Sequence, residues 1–322
     1  MNRLHNTHCN LKSIYDAEEF GCVAVLMGGQ SAEREISLKS GNAVLKSLQS
    51  QGVDARGIDV GDDVIKQLQS SAFDRAFIVL HGRGGEDGVI QGVLETLMIP
   101  YTGSGVLGSA LGMNKLTSKQ LWRGVGLPTP DYRVLEGEDD FEVTSEALGV
   151  PYIVKPVCEG SSLGISCVSN VDEHVQACRD ASAVSNDVLM AEKMVEGCEY
   201  TVAVLNDEAL PVIRVESASG FYDFDAKYNA DDTHYFIPCG LDEALEKNMQ
   251  NMALQAFKVL QGRGWGRIDI LCDSAGKTWL IETNTVPGMT DHSLVPMAAK
   301  AADLTFDELV WRILEDCNLA SR

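Results

Sequence analysis

Three oxygen-bearing side chains near the C-terminal end of the sequence, Asp269, Glu282 and Asn284, have the spacing of a metal site. They sit in Trp265-Gly266-Arg267-Ile268-Asp269-Ile270 and Leu280-Ile281-Glu282-Thr283-Asn284, two runs that read as neighbouring antiparallel strands. Strand side chains alternate, so residues 282 and 284 point the same way and can share a face with Asp269. Carboxylate and amide oxygens suit magnesium, completed by water and phosphate. The alternative is a pair of solvated strand carboxylates matched to nearby cations. Their apolar neighbours, Ile268, Ile270, Leu271, Leu280 and Ile281, argue for half-buried backbones, where unpaired carboxylates would be costly without a metal. Arg267 would then stand beside the ion and could stabilise developing negative charge.

Two further segments have the chemistry of a nucleotide site. Val154-Lys155-Pro156 precedes Glu159-Gly160-Ser161-Ser162-Leu163-Gly164, a lysine at a strand end ahead of a loop rich in backbone donors, suited to gripping phosphates. A surface lysine beside a linker is the alternative. Lys115 and Lys227 offer matching charge in a chain whose net charge is -21. In Met190-Ala191-Glu192-Lys193-Met194-Val195, followed by Glu199, a strand edge could meet a purine, with one acid for its amino group and another for ribose. Taken alone this is a weak signal, since many exposed strands contain Glu and Lys.

The elements that must position these residues follow from periodicity. Cys22-Val23-Ala24-Val25-Leu26 reads as a strand, Gly28-Gly29 as a turn, and Leu38, Gly41, Val44, Leu45 and Leu48 as one helical face. Strands at 53–55 and 77–80 alternate with helices at 64–68 and 89–97, the pattern of a parallel sheet with covering helices. A helix over 115–122 ends in Gly124-Val125-Gly126-Leu127-Pro128-Thr129-Pro130, where a second domain begins. Beyond it the strands at 152–154 and 165–168, and later those at 267–272 and 278–281, read as antiparallel pairs, with further strands at 200–205 and 210–215 between them. Between them lie an aperiodic stretch at 217–238, read as a lid, and a helix aligning Leu245, Met249, Met252, Ala256 and Leu260.

Three motifs point elsewhere and fail on context. Gly103-Ser104-Gly105-Val106-Leu107-Gly108 fits a dinucleotide fingerprint, but it closes the first domain instead of following its first strand. Gly160-Ser161-Ser162-Leu163-Gly164 fits a hydrolase elbow, but a strand follows where the elbow needs a helix. Gly276-Lys277-Thr278 resembles the end of a Walker A loop, but Leu271 stands where its first glycine belongs.

With 322 residues the chain should form two or three domains. The net charge of -21 argues against nucleic acid and anionic membrane surfaces as partners. Nine scattered cysteines without a C-x-x-C pair suit reduced thiols in a cytoplasmic protein. Residues 1–20 read as a loose extension with no signal-peptide core.

Taken together, Met27-Gly28-Gly29-Gln30-Ser31-Ala32-Glu33-Arg34-Glu35-Ile36-Ser37, His81-Gly82-Arg83-Gly84-Gly85-Glu86-Asp87-Gly88, Tyr101-Thr102-Gly103-Ser104-Gly105 and the run from Asn284 to Pro296 resemble the D-alanine:D-alanine ligase family of the ATP-grasp superfamily. The resemblance extends from about Gly21 to about Glu315. It implies an α/β and α+β fold: a Rossmann-like N-terminal domain with a parallel sheet (21–113), then an ATP-grasp domain with mainly antiparallel sheets in a central lobe (114–198) and a C-terminal lobe (199–322).

The resemblance also implies ATP-dependent joining of two D-alanine molecules through an acyl phosphate, for peptidoglycan synthesis, in a homodimer. Glu33 would bind the first D-alanine's ammonium in a bonded set with Ser161 and Tyr228, with His81 nearby. Lys115, Lys155 and Lys227 would hold ATP phosphates, and Glu192, Lys193, Val195 and Glu199 the adenosine. Asp269, Glu282 and Asn284 would ligate two magnesium ions, with manganese as an alternative. Arg267 and the Gly288 N–H would form the oxyanion site, and Ser293 with Leu294 would meet the second substrate's carboxylate. Tyr228, where ester-forming relatives carry phenylalanine, favours the dipeptide. Asn114 stands where relatives often have Asp, and Val286 where Ser is frequent.

Overall fold

The computed structural model describes residues 16–161, 163–216 and 233–317. Strand β1 (Cys22–Gly28) lies at the centre of a parallel sheet in the order β2-β1-β3, with β2 (Asp54–Val60) and β3 (Arg75–Ile78) on either side. Its continuous apolar run is what a strand covered on both faces requires. Helix α1 (Arg34–Ser50) lays Ser37, Ser40, Gly41, Val44 and Leu48 against the sheet. Helices α2 (Val64–Ser70), α3 (Val89–Leu97) and α4 (Val106–Met113) complete this part.

Helix α5 (Lys115–Gly124) leads into the second sheet. Asn114 caps it by accepting from the Thr117 N–H at 2.8 Å, so the departure at this position retains a capping oxygen. Strands β4 (Tyr132–Val134), β5 (Tyr152–Pro156), β6 (Ser166–Val168) and β7 (Leu189–Lys193) form an antiparallel sheet ordered β4-β7-β5-β6. Helices α6 (Phe141–Leu148) and α7 (Val171–Val184) pack on it around Tyr152, Val154, Val168 and Ala177.

Among the described residues the third sheet runs β11-β10-β8-β12-β13. Its strands are β8 (Gly197–Leu205), β9 (Glu208–Ala209, paired to β8), β10 (Ile213–Glu216), β11 (His234–Phe236), β12 (Trp265–Asp273) and β13 (Thr278–Asn284). Alternation divides it: Tyr200, Val202, Val204, Ile268, Ile270 and Leu280 share a core with α8 (Glu243–Val259). Ala203 and Leu205 join the core formed by the first sheet, α9 (Leu294–Ala301) and α10 (Phe306–Glu315).

One irregularity decides where the acidic residues go. Asp269 pairs with Glu282, but the next residue, Ile270, pairs with Leu280, so Ile281 is an extra residue in β13. Plain alternation would place positions 280, 282 and 284 on one face. The bulge sends Leu280 into the core and Glu282 and Asn284 to the opposite face.

Several boundaries differ from the sequence reading. Residues 17–20 are not loose: they form a 3-10 turn, Phe20 is 1 % exposed, and its ring meets Trp311 of α10 edge-on at 4.8 Å. A sequence distance of nearly the whole chain hides that contact from any local pattern. Phe20→Ala is expected to cost about 3–5 kcal/mol, as for other buried Phe truncations, read as a fall in the urea midpoint. Leu210 lies just before β10, held by its N–H to the Ala203 carbonyl at 2.9 Å. Strand β11 falls within the stretch read as a lid, of which residues 217–232 lie outside the described residues. The eight described cysteines are free thiols. Among the described residues no helix is long and apolar enough to cross a membrane.

Candidate active site

The turn after β1 delivers Glu33 to the start of α1, where the side chain is 9 % exposed. Its backbone N–H donates to Ser31 Oγ at 3.2 Å, and the Ser31 hydroxyl donates to the His81 carbonyl at 2.8 Å. The Glu33 carboxylate accepts a hydrogen bond from Ser161, which belongs to the second sheet's glycine-serine loop. Gly82 permits the approach: its φ is +68°, and a Cβ there would lie 2.7 Å from Glu33 Oε2. The predicted Glu33–Ser161 contact is therefore present, whereas Tyr228 and Lys227 lie outside the described residues.

His81 is buried, with Nδ1 2.8 Å from the Val286 carbonyl and Nε2 3.4 Å from Ser40 Oγ. A carbonyl only accepts, so Nδ1 carries the proton. Burial pushes the imidazole pKa below its ordinary value, against the opposing pull of the Glu33 charge. Ser40 Oγ accepts from the Met289 N–H at 3.1 Å, so His81 and Ser40 together hold the turn containing Gly288.

Glu86 stands in the segment from His81 to Gly88, and no role for it follows from the sequence. It is buried and accepts from the N–H groups of Gly82 at 2.6 Å and Val286 at 3.3 Å, tying the His81 loop to the end of β13. Burial, reinforced by the Glu33 charge, pushes its pKa up to about 8. A folded pKa raised from 4.5 makes the native state the better proton binder, so this contribution to stability is full below about 4.5 and fades as pH rises through about 8. Glu86→Gln should flatten that decline in urea unfolding measured across the same window. An unaltered slope would mean that Glu86 is ionised in the folded protein at neutral pH.

Arg267 and Asp269, two apart on β12, form a bidentate pair at 2.8 and 2.7 Å, and Thr201 Oγ1 donates to Asp269 Oδ1 at 2.7 Å. Glu282 Oε2 lies 3.1 Å from Lys115 Nζ, which also donates to the Glu159 carbonyl at 2.6 Å. Burial works against the Lys115 charge, but Glu282 outweighs it and raises the ammonium pKa. Asn284 Oδ1 accepts from the Val286 N–H at 3.1 Å. The premise of unpaired carboxylates is thus corrected: Asp269 and Glu282 are mostly buried and each has a cation. The register pairs Asp269 with Glu282 and Arg267 with Asn284, so all four share one face. The group comprises two carboxylates and an amide, and among the described residues no cluster of three His, Cys, Asp or Glu is placed for a metal.

A cavity of about 1430 Å³ collects Glu33, His81, Lys115, Ser161, Arg267, Glu282, Asn284, Gly288, Ser293 and Leu294 in its wall. Ser293 Oγ accepts from the Thr290 N–H at 2.9 Å at the head of α9. Asp269, Lys155, Glu192, Lys193, Val195 and Glu199 are not in that wall. Lys155 donates to Glu192 Oε1 at 2.7 Å, both side chains being buried. Lys193 is exposed, Val195 follows β7, and Glu199 lies on β8, half-buried. Sequence reading missed Lys119, which forms an ion pair with Glu192. Its one signal is a place four residues after Lys115 on α5.

The decoy motifs are accounted for by packing. Gly108 lets α4 approach the turn that follows α8, since a Cβ there would lie 2.5 Å from the Gln261 carbonyl. The stretch after Gly164 is strand β6, and Gly276 turns the β12–β13 hairpin.

A parallel N-terminal sheet followed by two mainly antiparallel sheets, with lysines and acids facing a shared cleft, defines an enzyme of the ATP-grasp fold. The chain matches the family models described as D-ala D-ala ligase N-terminus over residues 54–104 and D-ala D-ala ligase C-terminus over residues 121–315. It is 57 % identical over 299 residues to the D-alanine--D-alanine ligase of Nitrosococcus oceani, covering 93 % of this chain and 94 % of that one. The solved D-alanine--D-alanine ligase of Bacillus anthracis superposes with a TM-score of 0.82 at 32 % identity, covering 91 % and 96 % of the two chains. Its complex with ATP gives 0.78 at 30 % identity, with the same coverage. The chain belongs to the D-alanine–D-alanine ligase family.

Proposed function

We propose that this chain joins two D-alanine molecules to D-alanyl-D-alanine in an ATP- and magnesium-dependent reaction through an acyl phosphate, in the cytoplasm, for peptidoglycan synthesis. The observation that carries the reading is the single cavity onto which the Glu33–Ser161 pair, Lys115 with Glu282, and Arg267 all open. Within this reading the chain divides into a first domain to residue 113, a central lobe at 114–198 and a C-terminal lobe from 199, and it works as a homodimer.

Glu33 takes the ammonium of the first D-alanine, held in place by Ser161, while neutral His81 fixes the turn beneath it. Lys115, Lys155 and Lys227 meet the ATP phosphates, and Glu192, Lys193, Val195 and Glu199 the adenosine. Asp269, Glu282 and Asn284 would hold magnesium, their oxygens being the ligand chemistry of a hard cation, in place of their present partners Arg267, Lys115 and the Val286 N–H. The metal, when bound, neutralises charge on the transferring phosphoryl group. Arg267 and the Gly288 N–H would hold the tetrahedral oxyanion formed when the second amine attacks the acyl-phosphate carbonyl, which collapses with loss of the amine proton and departure of phosphate as the C–N bond is completed. Ser293, Leu294 and the N-terminal N–H groups of α9 receive the second carboxylate.

Tyr228 favours the amide product over the ester. ADP release with D-alanine, L-alanine and D-lactate, run side by side, tests the whole reading. Turnover with D-alanine alone is expected, and a requirement for D-lactate would overturn the dipeptide assignment.

A further inference from the structure

The roles above leave one buried cation without a task. Lys119 is 0 % exposed and forms an ion pair with Glu192 Oε2, while Lys155 donates to the other oxygen, Oε1, at 2.7 Å. Lys119 also donates to Thr129 Oγ1 at 2.7 Å, and the Thr129 hydroxyl donates to the Leu280 carbonyl at 2.8 Å. The ammonium is therefore tied to the edge of β13 as well as to the carboxylate. Among the described residues Lys155 has Glu192 alone as a side-chain partner.

One carboxylate needs one cation, and a second buried ammonium costs the protein solvation. Burial pushes the Lys119 pKa down to about 8, with Glu192 opposing and the neighbouring Lys155 charge adding to the depression. Such an excess becomes useful when an anion arrives. We infer that Lys119 is a positioning residue of the nucleotide site, the fixed partner of Glu192 that lets Lys155 leave for a phosphate without stranding a buried carboxylate. The inference rests on the nucleotide reading proposed above. With Lys155 as sole partner, its departure would leave Glu192 charged, buried and unpaired, and every phosphate contact would have to offset that loss.

Lys119→Met separates this role from a structural one. It fills the volume with an apolar side chain and leaves Glu192–Lys155 as a neutral pair, so the melting temperature should not fall. ADP affinity, measured by titration calorimetry, should drop by at least about tenfold, with adenosine affinity unchanged. In turnover assays KM for ATP should rise while KM for D-alanine stays put. Thr129→Val keeps every charge but cuts the tether, and should move ADP affinity in the same direction by a smaller factor. Unchanged ADP affinity in Lys119→Met overturns the inference, as does an equal loss for adenosine and ADP or a lowered melting temperature. ADP binding by the unaltered protein without turnover on D-alanine would sink only the ligase reading.

Discussion

Glu282→Gln is expected to reduce ADP release with D-alanine by about 10³-fold or more, a loss on the scale of removing a main stabiliser of transition-state charge. Two effects act together. The substitution removes one of two carboxylates proposed for the metal, and it leaves Lys115 buried without its counter-charge at 3.1 Å. The Glu159 carbonyl still accepts from Lys115, so the loop that carries Ser161 should stay in place. Circular dichroism should accordingly show a folded protein, and raising magnesium should not restore the rate. Near-normal magnesium-dependent turnover in this variant would remove Glu282 from the proposed ligand set.

Glu192→Gln should lower stability as much as the truncation of a buried aromatic, but through charge. It takes away the single negative charge between Lys119 and Lys155, whose side chains are 0 % and 4 % exposed, and leaves two ammonium groups facing each other in the interior. Breaking a buried pair in this way costs about 3–5 kcal/mol. The pH dependence identifies the cause. Lys119, whose folded pKa burial pushes down, binds its proton better when unfolded, so the loss should be greatest near neutral pH and shrink as pH rises toward the ordinary lysine pKa. Urea midpoints measured at increasing pH check this. A deficit that stays constant with pH would point to packing, not charge.

Much of the site was legible because its determinants are local. The spacing of Glu282 and Asn284 fixes their common face, the glycine-serine loop after Lys155 is a short-range signal, and the strand following Gly164 excludes a hydrolase elbow. The family motifs added Glu33, His81 and Ser161, which the fold brings to one cavity.

What the sequence by itself determined was the alternation of strands and helices, the change from parallel to antiparallel sheets, and some of the polar side chains that line the cavity, among them Lys115, Ser161, Glu282 and Asn284. Periodicity and turn chemistry act over a few residues, so one chain suffices to read them. Only the tertiary structure decided which charges meet. The Ile281 bulge separates Leu280 from Glu282, Phe20 finds Trp311 across the length of the chain, and Lys119 joins Lys155 on one carboxylate. Glu86 bridges two loops two hundred residues apart, where burial raises its pKa. Desolvation and ion pairing depend on neighbours brought together by packing, and no spacing along the chain encodes them.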